Sequence, residues 1–242
     1  MKSTTRWALL TVALGLLLLG SATAARQARQ LSLESGKGLR LHNVTAEPAK
    51  LKGQSGLRVT LSEDADRRLR AMKPDEQLQV EQLGIIEGLE FANGIIQAEL
   101  AGAPAPGAPE GARGFVGIAF RLQNDLKTYD AFYLRPTNGR ADDQERRNHA
   151  VQYIAHPDWP WFRLRKETPS KYESYADLMP DTWTKVTIEV RGDRARLYVH
   201  GQEQPTLIVN DVKSGPNGKG AIALWLDRGT VAHFRNLTVQ PL

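Results

Sequence analysis

Hydrophobic and polar residues alternate along most of the chain, and the clearest case is the segment WTKVTIEVRGDRARLYVHG, residues 183–201. Apolar side chains occupy every second position in residues 186–190 and again in residues 195–199. A period of two indicates a strand with one buried face, and Gly192-Asp193 between the two runs is typical of a tight turn. The segment is therefore predicted to form a β-hairpin.

The same criterion predicts many more short strands and almost no helix. Residues 63–72, with acids first and arginines later, are the one helix-like segment, and they fit a short surface helix or a loop. Residues 101–112, rich in Ala, Pro and Gly, are expected to form a long mobile connection. The further predicted strands are residues 39–44, 57–62, 78–86, 95–101, 115–122, 129–135, 150–156, 206–209, 221–226 and 234–239.

Many strands without helical crossovers predict an all-β fold, a two-sheet antiparallel jelly-roll sandwich. The first residues predict export: Lys2 and Arg6 precede an uncharged apolar run of fourteen residues, and Ala22 to Ala24 supply an A-x-A type cleavage site. The run is shorter than the roughly 20 residues of a spanning helix. We therefore expect a signal peptide at residues 1–24, cleaved after Ala24, and one β-sandwich domain at residues 25–242 that is secreted or periplasmic.

Composition excludes several classes of protein. The chain has no cysteine, which in an exported protein excludes a disulfide framework. The formal charge falls from +5 to +3 without Lys2 and Arg6, and the remaining charges alternate in sign. Nucleic acid is therefore not expected as a partner. No later segment is apolar and long enough to insert into a membrane, and a monomer is expected.

A resemblance to a known superfamily rests on the order of several segments. FANGIIQAEL, GFVGIAFRL and YDAFYLRP precede the Trp-led hairpin, which is followed by LIVNDV and GAIALWLDRGTVAHFRNLTV. This order, over residues 80–240, resembles the concanavalin A-like lectin and glucanase superfamily, in particular bacterial laminin-G-like and 3-keto-disaccharide hydrolase-like domains. The resemblance implies the sandwich fold. Members of the superfamily include glycan-binding modules, glycosidases and adhesion domains.

Alternation also predicts which sheet face could hold a ligand. In residues 115–122 and 221–226 one face is bulky and apolar, while the other carries Gly and Ala and ends in a large polar or aromatic group. Small side chains lower a sheet surface, so a groove can form there, although loops could instead cover this face. Aromatic and planar polar groups beside a groove suit a sugar.

The polar stretch RPTNGRADDQERRNH, residues 135–149, begins at the rim of this face. The aromatic-rich residues 156–175 follow it, and their three prolines predict an ordered loop. Either could line the groove; the polar stretch could equally be a self-paired loop, and a buried tryptophan could close the end of the sandwich. The predicted glycan-binding residues are Arg121, Tyr133, Arg135, Asn138, Arg140, Asp142, Arg147, Gln152, Trp159, Trp161, Trp225 and Asp227.

Catalysis is a second hypothesis for the same face. The glucanase patterns E-x-D-x-E and E-x-D-x-x-E are absent, so a catalytic pair would have to be assembled across strands. Asp143, His149 and Glu173 are the candidates. No cofactor is expected, and calcium stays open only through the oxygens of residues 141–145. The sequence thus predicts an exported glycan-binding domain; the alternatives are a glycoside hydrolase acting on oligosaccharides or modified disaccharides, and a protein-binding adhesion module.

Overall fold

The computed structural model describes residues 28–73, 80–108 and 110–242, and the predicted signal peptide lies outside these residues. Fifteen strands and three helices are found in this part of the chain. The strands are β1 (Arg29–Leu31), β2 (Leu39–His42), β3 (Val44–Leu51), β4 (Gln54–Leu61), β5 (Leu83–Ile86), β6 (Gly94–Pro104), β7 (Val116–Leu122), β8 (Tyr129–Leu134), β9 (Val151–His156), β10 (Glu173–Ser174), β11 (Thr184–Arg191), β12 (Arg194–Val199), β13 (Leu207–Val209), β14 (Ala221–Leu226) and β15 (Thr230–Pro241). The helices are α1 (Glu63–Ala71), α2 (Gln144–Asn148) and α3 (Trp161–Glu167).

The strands form two antiparallel sheets, which confirms the predicted jelly-roll sandwich. The first sheet has the order β13-β12-β11-β6-β15-β4-β3, and β1 also pairs with β15. The second sheet has the order β10-β9-β8-β7-β14-β5-β2. The predicted hairpin is confirmed, because β11 and β12 pair from Val186 with Val199 to Arg191 with Arg194 around Gly192-Asp193.

The core lies between the two sheets and is built by the alternation in the sequence. Ile118, Phe132 and Leu224 of the second sheet are buried, as are Ile188 and Leu197 of the first. Burying these faces is the main favourable contribution to folding, about 25 cal/mol for each Å² of apolar surface removed from water. The opposite face of the second sheet carries the features described below.

The helices of the structure differ from the predictions made from the sequence more than the strands do. Residues 63–71 form α1, because the Ser62 hydroxyl accepts a hydrogen bond from the backbone N–H of Ala65 at 3.2 Å and three acids occupy the first turn. The ordered loop expected at residues 156–175 contains α3, which begins directly after Pro160. Proline is tolerated at a helix start because no intrahelical partner is needed there. Among the described residues, no helix is long and apolar enough to cross a membrane.

Candidate functional site

A cavity of about 280 Å³ lies on the outer face of the second sheet. Its walls come from the segment before β5, from β8, β9 and β14, from the loop before β7, and from the start of α3. Its volume is at the lower end of the range for ligand pockets, roughly 300–1,000 Å³. The side chains that define its chemistry are Glu81, Phe115, Tyr133, His156, Trp161, Phe162, Trp225 and Asp227.

The floor of the cavity is a pair of aromatic rings above a glycine. Gly117 of β7 pairs with Trp225 on one side and with Tyr133 on the other. A Cβ atom at Gly117 would lie 2.5 Å from Cβ of Tyr133 and 2.3 Å from the Phe132 carbonyl oxygen, so only glycine fits. The Tyr133 and Trp225 rings approach to 4.8 Å between centroids. Trp225 is 6% exposed and Tyr133 1%, so Trp225 supplies the accessible part of this floor and the Tyr133 ring supports it from within the protein.

The predicted groove is narrower than the small residues suggested. Ala119, Ala131 and Ala223 form the next row across the outer face, and all three are fully buried. The protein's own packing therefore covers these three alanines in the middle of the face, and the 280 Å³ cavity lies toward the end near Trp225 and Asp227.

A chain of hydrogen-bonding groups forms the polar wall. The Tyr129 hydroxyl donates to Glu81 Oε2, accepts from Trp225 Nε1 at 2.9 Å and lies 3.0 Å from His156 Nδ1. His156 Nδ1 is also 2.7 Å from Glu81 Oε1. Burial, reinforced by the Glu81 charge, raises the pKa of Tyr129 well above its usual value. The hydroxyl therefore stays neutral, and the contacts to Nδ1 leave Nε2 as the His156 nitrogen for a ligand.

Asp227 is a second carboxyl group that lines the cavity. It follows β14 directly and is half-buried. Burial raises its pKa to about 6, and the Glu81 charge adds to this rise, whereas the backbone N–H of Arg228 and the charges of His156 and Arg135 oppose it. A carboxyl group with this pKa can accept or release a proton near neutral pH.

Beside the cavity lies a second group of charged residues, the Glu173 cluster, which comprises Arg135, His149, Gln152, Arg165 and Glu173. Arg165 donates to both Glu173 oxygens, at 2.8 and 2.6 Å, Arg135 Nη1 lies 3.3 Å from Oε2, and His149 Nδ1 also contacts Oε2. Burial alone would raise the pKa of Glu173, but Arg165 and Arg135 outweigh it and lower the pKa. The carboxylate is therefore held ionised by its own neighbours.

The structure separates the predicted glycan-binding and catalytic residues into four groups. Tyr133, Trp161, Trp225 and Asp227 line the cavity. Arg135, His149, Gln152 and Glu173 form most of the Glu173 cluster, with Gln152 fully buried. Asn138, Arg140, Asp142, Asp143 and Arg147 lie in the loop at residues 138–149, and Arg121 and Trp159 line a neighbouring cavity of about 370 Å³.

Arg121 does not lie on the outer face as the alternation predicted. An extra residue in β7 opposite β14 shifts the register, and Arg121 adopts a positive φ of 56°. Its guanidinium donates to the carbonyl oxygens of Ala92, Gly192 and Gly215 at 2.8–3.0 Å, and Arg121 is 1% exposed. This β-bulge directs the side chain away from the outer face, and its guanidinium is bound by the protein's own carbonyl oxygens.

The polar loop at residues 138–149 is largely paired with the protein itself. Arg140 forms two hydrogen bonds with Asp177, at 2.7 and 2.9 Å, and both side chains are exposed. The exposed Asp143 caps α2 by accepting from the backbone N–H of Arg146 at 3.1 Å, which is a structural use of this candidate acid.

Other predicted residues in the loop at residues 138–149 and in the neighbouring cavity also contact protein groups. For the exposed Asp142, no such contact is found among the described residues. Arg147 Nη2 donates to the Tyr175 hydroxyl at 3.1 Å, and Asn138 Nδ2 donates to the His149 carbonyl at 3.2 Å. Trp159 lies under Arg163, with 4.0 Å from Cζ to the ring centroid. No group of three His, Cys, Asp or Glu side chains that could hold a metal ion occurs in the described part of the chain.

Sequence reasoning missed Glu81, His156, Phe115 and Phe162. Glu81 lies before β5 and meets Tyr129 and His156, which are 48 and 75 residues further along the chain. No periodic signal marks such a contact. His156 ends β9 and shares an alternating face with Gln152, so the strand pattern could have placed it on the outer face.

The fold and the site define a two-sheet antiparallel jelly-roll β-sandwich with a cavity of about 280 Å³ on the outer face of one sheet. Residues 77–240 match the family model described as the 3-keto-alpha-glucoside-1,2-lyase-like domain, so the chain belongs to this family. Family membership supports a carbohydrate-related function. No curated protein matches the chain.

Several solved structures have a similar fold at low sequence identity. The carbohydrate-binding module CBM66 from Bacillus subtilis is 10% identical, with a TM-score of 0.48 over 83% of this chain and 98% of that chain. A Bacillus subtilis protein with a galectin-like fold is 14% identical, with a TM-score of 0.48 over 88% and 94%. A β-1,3-1,4-glucanase derived from a mouse hindgut metagenome is 12% identical, with a TM-score of 0.47 over 88% and 98%.

Proposed function

We propose that the cavity binds an α-glucoside whose carbon 3 has been oxidised to a ketone, and that it cleaves the glycosidic bond by elimination. The observation that carries this proposal is Asp227, a half-buried carboxyl with a pKa raised by burial to about 6, placed beside an aromatic floor. Membership of the 3-keto-alpha-glucoside-1,2-lyase-like family supports the choice of substrate and reaction.

The chemistry requires one base of moderate strength. A ketone at carbon 3 acidifies the C–H bond at carbon 2, and Asp227 in its ionised form accepts that proton. The electrons of the C2–H bond form a double bond between carbons 1 and 2, and the bond from carbon 1 to the glycosidic oxygen breaks. The protonated Asp227 returns the proton to the departing oxygen, directly or through water. A base whose pKa lies near the working pH suits this exchange.

Residues at the interior end of the cavity bind and orient the sugar. Trp225 contacts its C–H face, and the buried Tyr133 ring packs against Trp225 and holds it in position. Because a carboxylate only accepts hydrogen bonds, Glu81 holds a hydrogen of His156 on Nδ1, which leaves Nε2 to form a hydrogen bond with a sugar hydroxyl. In this proposal the sugar is held so that the hydrogen on carbon 2 faces Asp227.

The decisive experiment uses 4-nitrophenyl 3-keto-α-glucoside carrying deuterium at carbon 2. Elimination releases nitrophenol, loses the label to solvent and shows a primary isotope effect, whereas hydrolysis at carbon 1 retains the label. We expect Asp227→Asn to lower kcat/KM at least a hundredfold, which is about the contribution of a general base. Asp142→Asn, a change at an exposed acid outside the cavity, is the matched control. Release of nitrophenol with the label retained would contradict elimination, and cleavage of the unoxidised glucoside would remove the role of the ketone.

Glycan binding without cleavage is the second candidate function, favoured by the Trp225–Tyr133 floor. It predicts retardation of the protein by unoxidised polysaccharides in affinity electrophoresis, loss of retardation in Trp225→Ala, and no product from the keto-glucoside. We further propose that the protein acts after export, as a monomer. Cell fractionation and analytical ultracentrifugation test these two points.

A further inference from the structure

We infer that the opening of the cavity is a binding site for an aromatic aglycone, the group attached to carbon 1 of the sugar. This inference rests on the proposed function, because it takes the sugar to occupy the interior of the cavity. Trp161 and Phe162, the first two residues of α3, line the cavity and are 38% and 48% exposed. Their rings meet edge to face, with 5.8 Å between centroids.

The cavity changes in character from its interior to its opening. Glu81, Tyr133 and Trp225 are buried at the interior end, where the polar wall lies. The most exposed lining residues are Gly111, Trp161 and Phe162, whereas the polar residues His156, Asp227 and Arg228 are only partly exposed. A sugar placed inside finds hydrogen-bonding partners for its hydroxyls. A second sugar beside Trp161 and Phe162 would find no strong hydrogen-bonding group on their rings apart from one indole N–H, whereas a planar aromatic group would find two exposed ring surfaces.

Trp161 is held in place without a ligand. The Arg165 Cζ atom lies 4.8 Å from the Trp161 ring centroid and the Arg135 Cζ atom 5.7 Å from it. Both arginines are fixed by the buried carboxylate of Glu173. An aromatic side chain that is ordered before binding loses little conformational entropy when a ligand arrives. Exposed aromatic surface beside a cavity is typical of a binding site.

The test measures binding of unoxidised glucosides, so that it does not depend on cleavage. Phenyl α-glucoside, methyl α-glucoside and maltose are titrated calorimetrically against the full chain. We expect phenyl α-glucoside to bind about tenfold more tightly than the other two. Phe162→Ala should remove most of this preference and leave the affinity for methyl α-glucoside unchanged. Trp161→Phe should retain part of it, and Tyr175→Ala, a change at an exposed aromatic outside the cavity, should retain all of it.

Each outcome separates the inference from the proposed function. Equal affinity for maltose and phenyl α-glucoside overturns the aromatic site even if the keto-glucoside is cleaved. A phenyl preference that Phe162→Ala abolishes supports the site even if no keto-glucoside is cleaved. Absence of binding by every glucoside overturns the inference. If the Phe162→Ala variant differs from the wild type in its oligomeric state but not in its glucoside affinities, the exposed rings form a contact between copies of the chain. This result also overturns the inference.

Discussion

The cavity and the Glu173 cluster lie side by side on the same face of the same sheet, and both collect charged side chains. In the cluster, Glu173 touches two arginines and a histidine, and its pKa is lowered. In the cavity, Asp227 is left half-buried, and its pKa is raised by burial. The difference shows that charge on a sheet face does not define a site. A group whose partners all belong to the protein supports the structure, whereas a group left short of partners is available for chemistry.

The two regions meet at Tyr133. Its ring forms the cavity floor, and its hydroxyl accepts a hydrogen bond from Arg135 Nη2 at 2.7 Å. Arg135 also donates to Gln152 Oε1 at 3.1 Å, so the guanidinium joins the floor to buried polar groups. The cluster is therefore a support for the cavity floor, and the comparison can be tested by changing one residue on each side and one at the junction.

The largest effect is expected for Glu173→Gln. The change leaves Arg135 and Arg165 without their carboxylate and should lower the free energy of unfolding by about 3 kcal/mol. Because the folded-state pKa of Glu173 is lowered, its contribution in the wild type is present above the unfolded-state value near 4.5 and is lost as the pH falls further. Urea denaturation at pH 7 and pH 3 measures both effects, with Glu145→Gln, an exposed neighbour, as the control. If Glu173→Gln keeps the stability of the wild type but loses activity, Glu173 takes part in the reaction instead of supporting the structure.

An intermediate effect is expected for Tyr133→Phe. The change removes the acceptor of the Arg135 hydrogen bond and should cost about 1.5 kcal/mol, which is usual for a hydrogen bond to a charged group. The ring that packs against Trp225 remains, so the affinity for methyl α-glucoside should stay within about twofold. Denaturation and calorimetry on the same preparation test this. Loss of sugar affinity at full stability would mean that the hydroxyl itself contacts the ligand.

The smallest effect, opposite in sign, is expected for the stability of Asp227→Asn. Because the folded-state pKa is raised to about 6, wild-type stability falls as the pH rises from the unfolded-state value of 3.8 through 6. At pH 7 Asp227 is ionised and its destabilising effect is complete, so the Asn variant should be more stable there by about 1 kcal/mol. The expected gain is this small because water at the open side of the cavity screens the Asp227 charge. In the wild type, kcat/KM should rise with pH through about 6. A variant that is less stable at pH 7 would contradict the raised pKa.

Much of the fold followed from the sequence because alternation is a local signal. The hairpin of β11 and β12 and strand β14 were predicted almost to the residue, since each buries one face against the other sheet. β3 was missed because Pro48 and the charges around it hide the alternation, and this strand lies at the edge of its sheet, where proline is tolerated. α3 was missed because the prolines before and after it suggested a loop.

Less of the candidate site could be predicted, because its contacts join distant segments. Tyr133 and Trp225 followed from the small-residue face, whose glycine lets their rings approach. The contact of Glu81 with His156 crosses 75 residues and has no local pattern. The position of Arg121 depended on one extra residue in β7, which reverses the alternation.

Arg121 also has a consequence for how the molecule opens. Its guanidinium donates to carbonyl oxygens at residues 92, 192 and 215, which are 29, 71 and 94 positions away along the chain. If any one of these segments moved away, the Arg121 guanidinium would lose a carbonyl partner while it remained in an interior that water reaches poorly. We therefore expect the three segments to open together, so that amide hydrogen exchange in them would report one shared opening free energy.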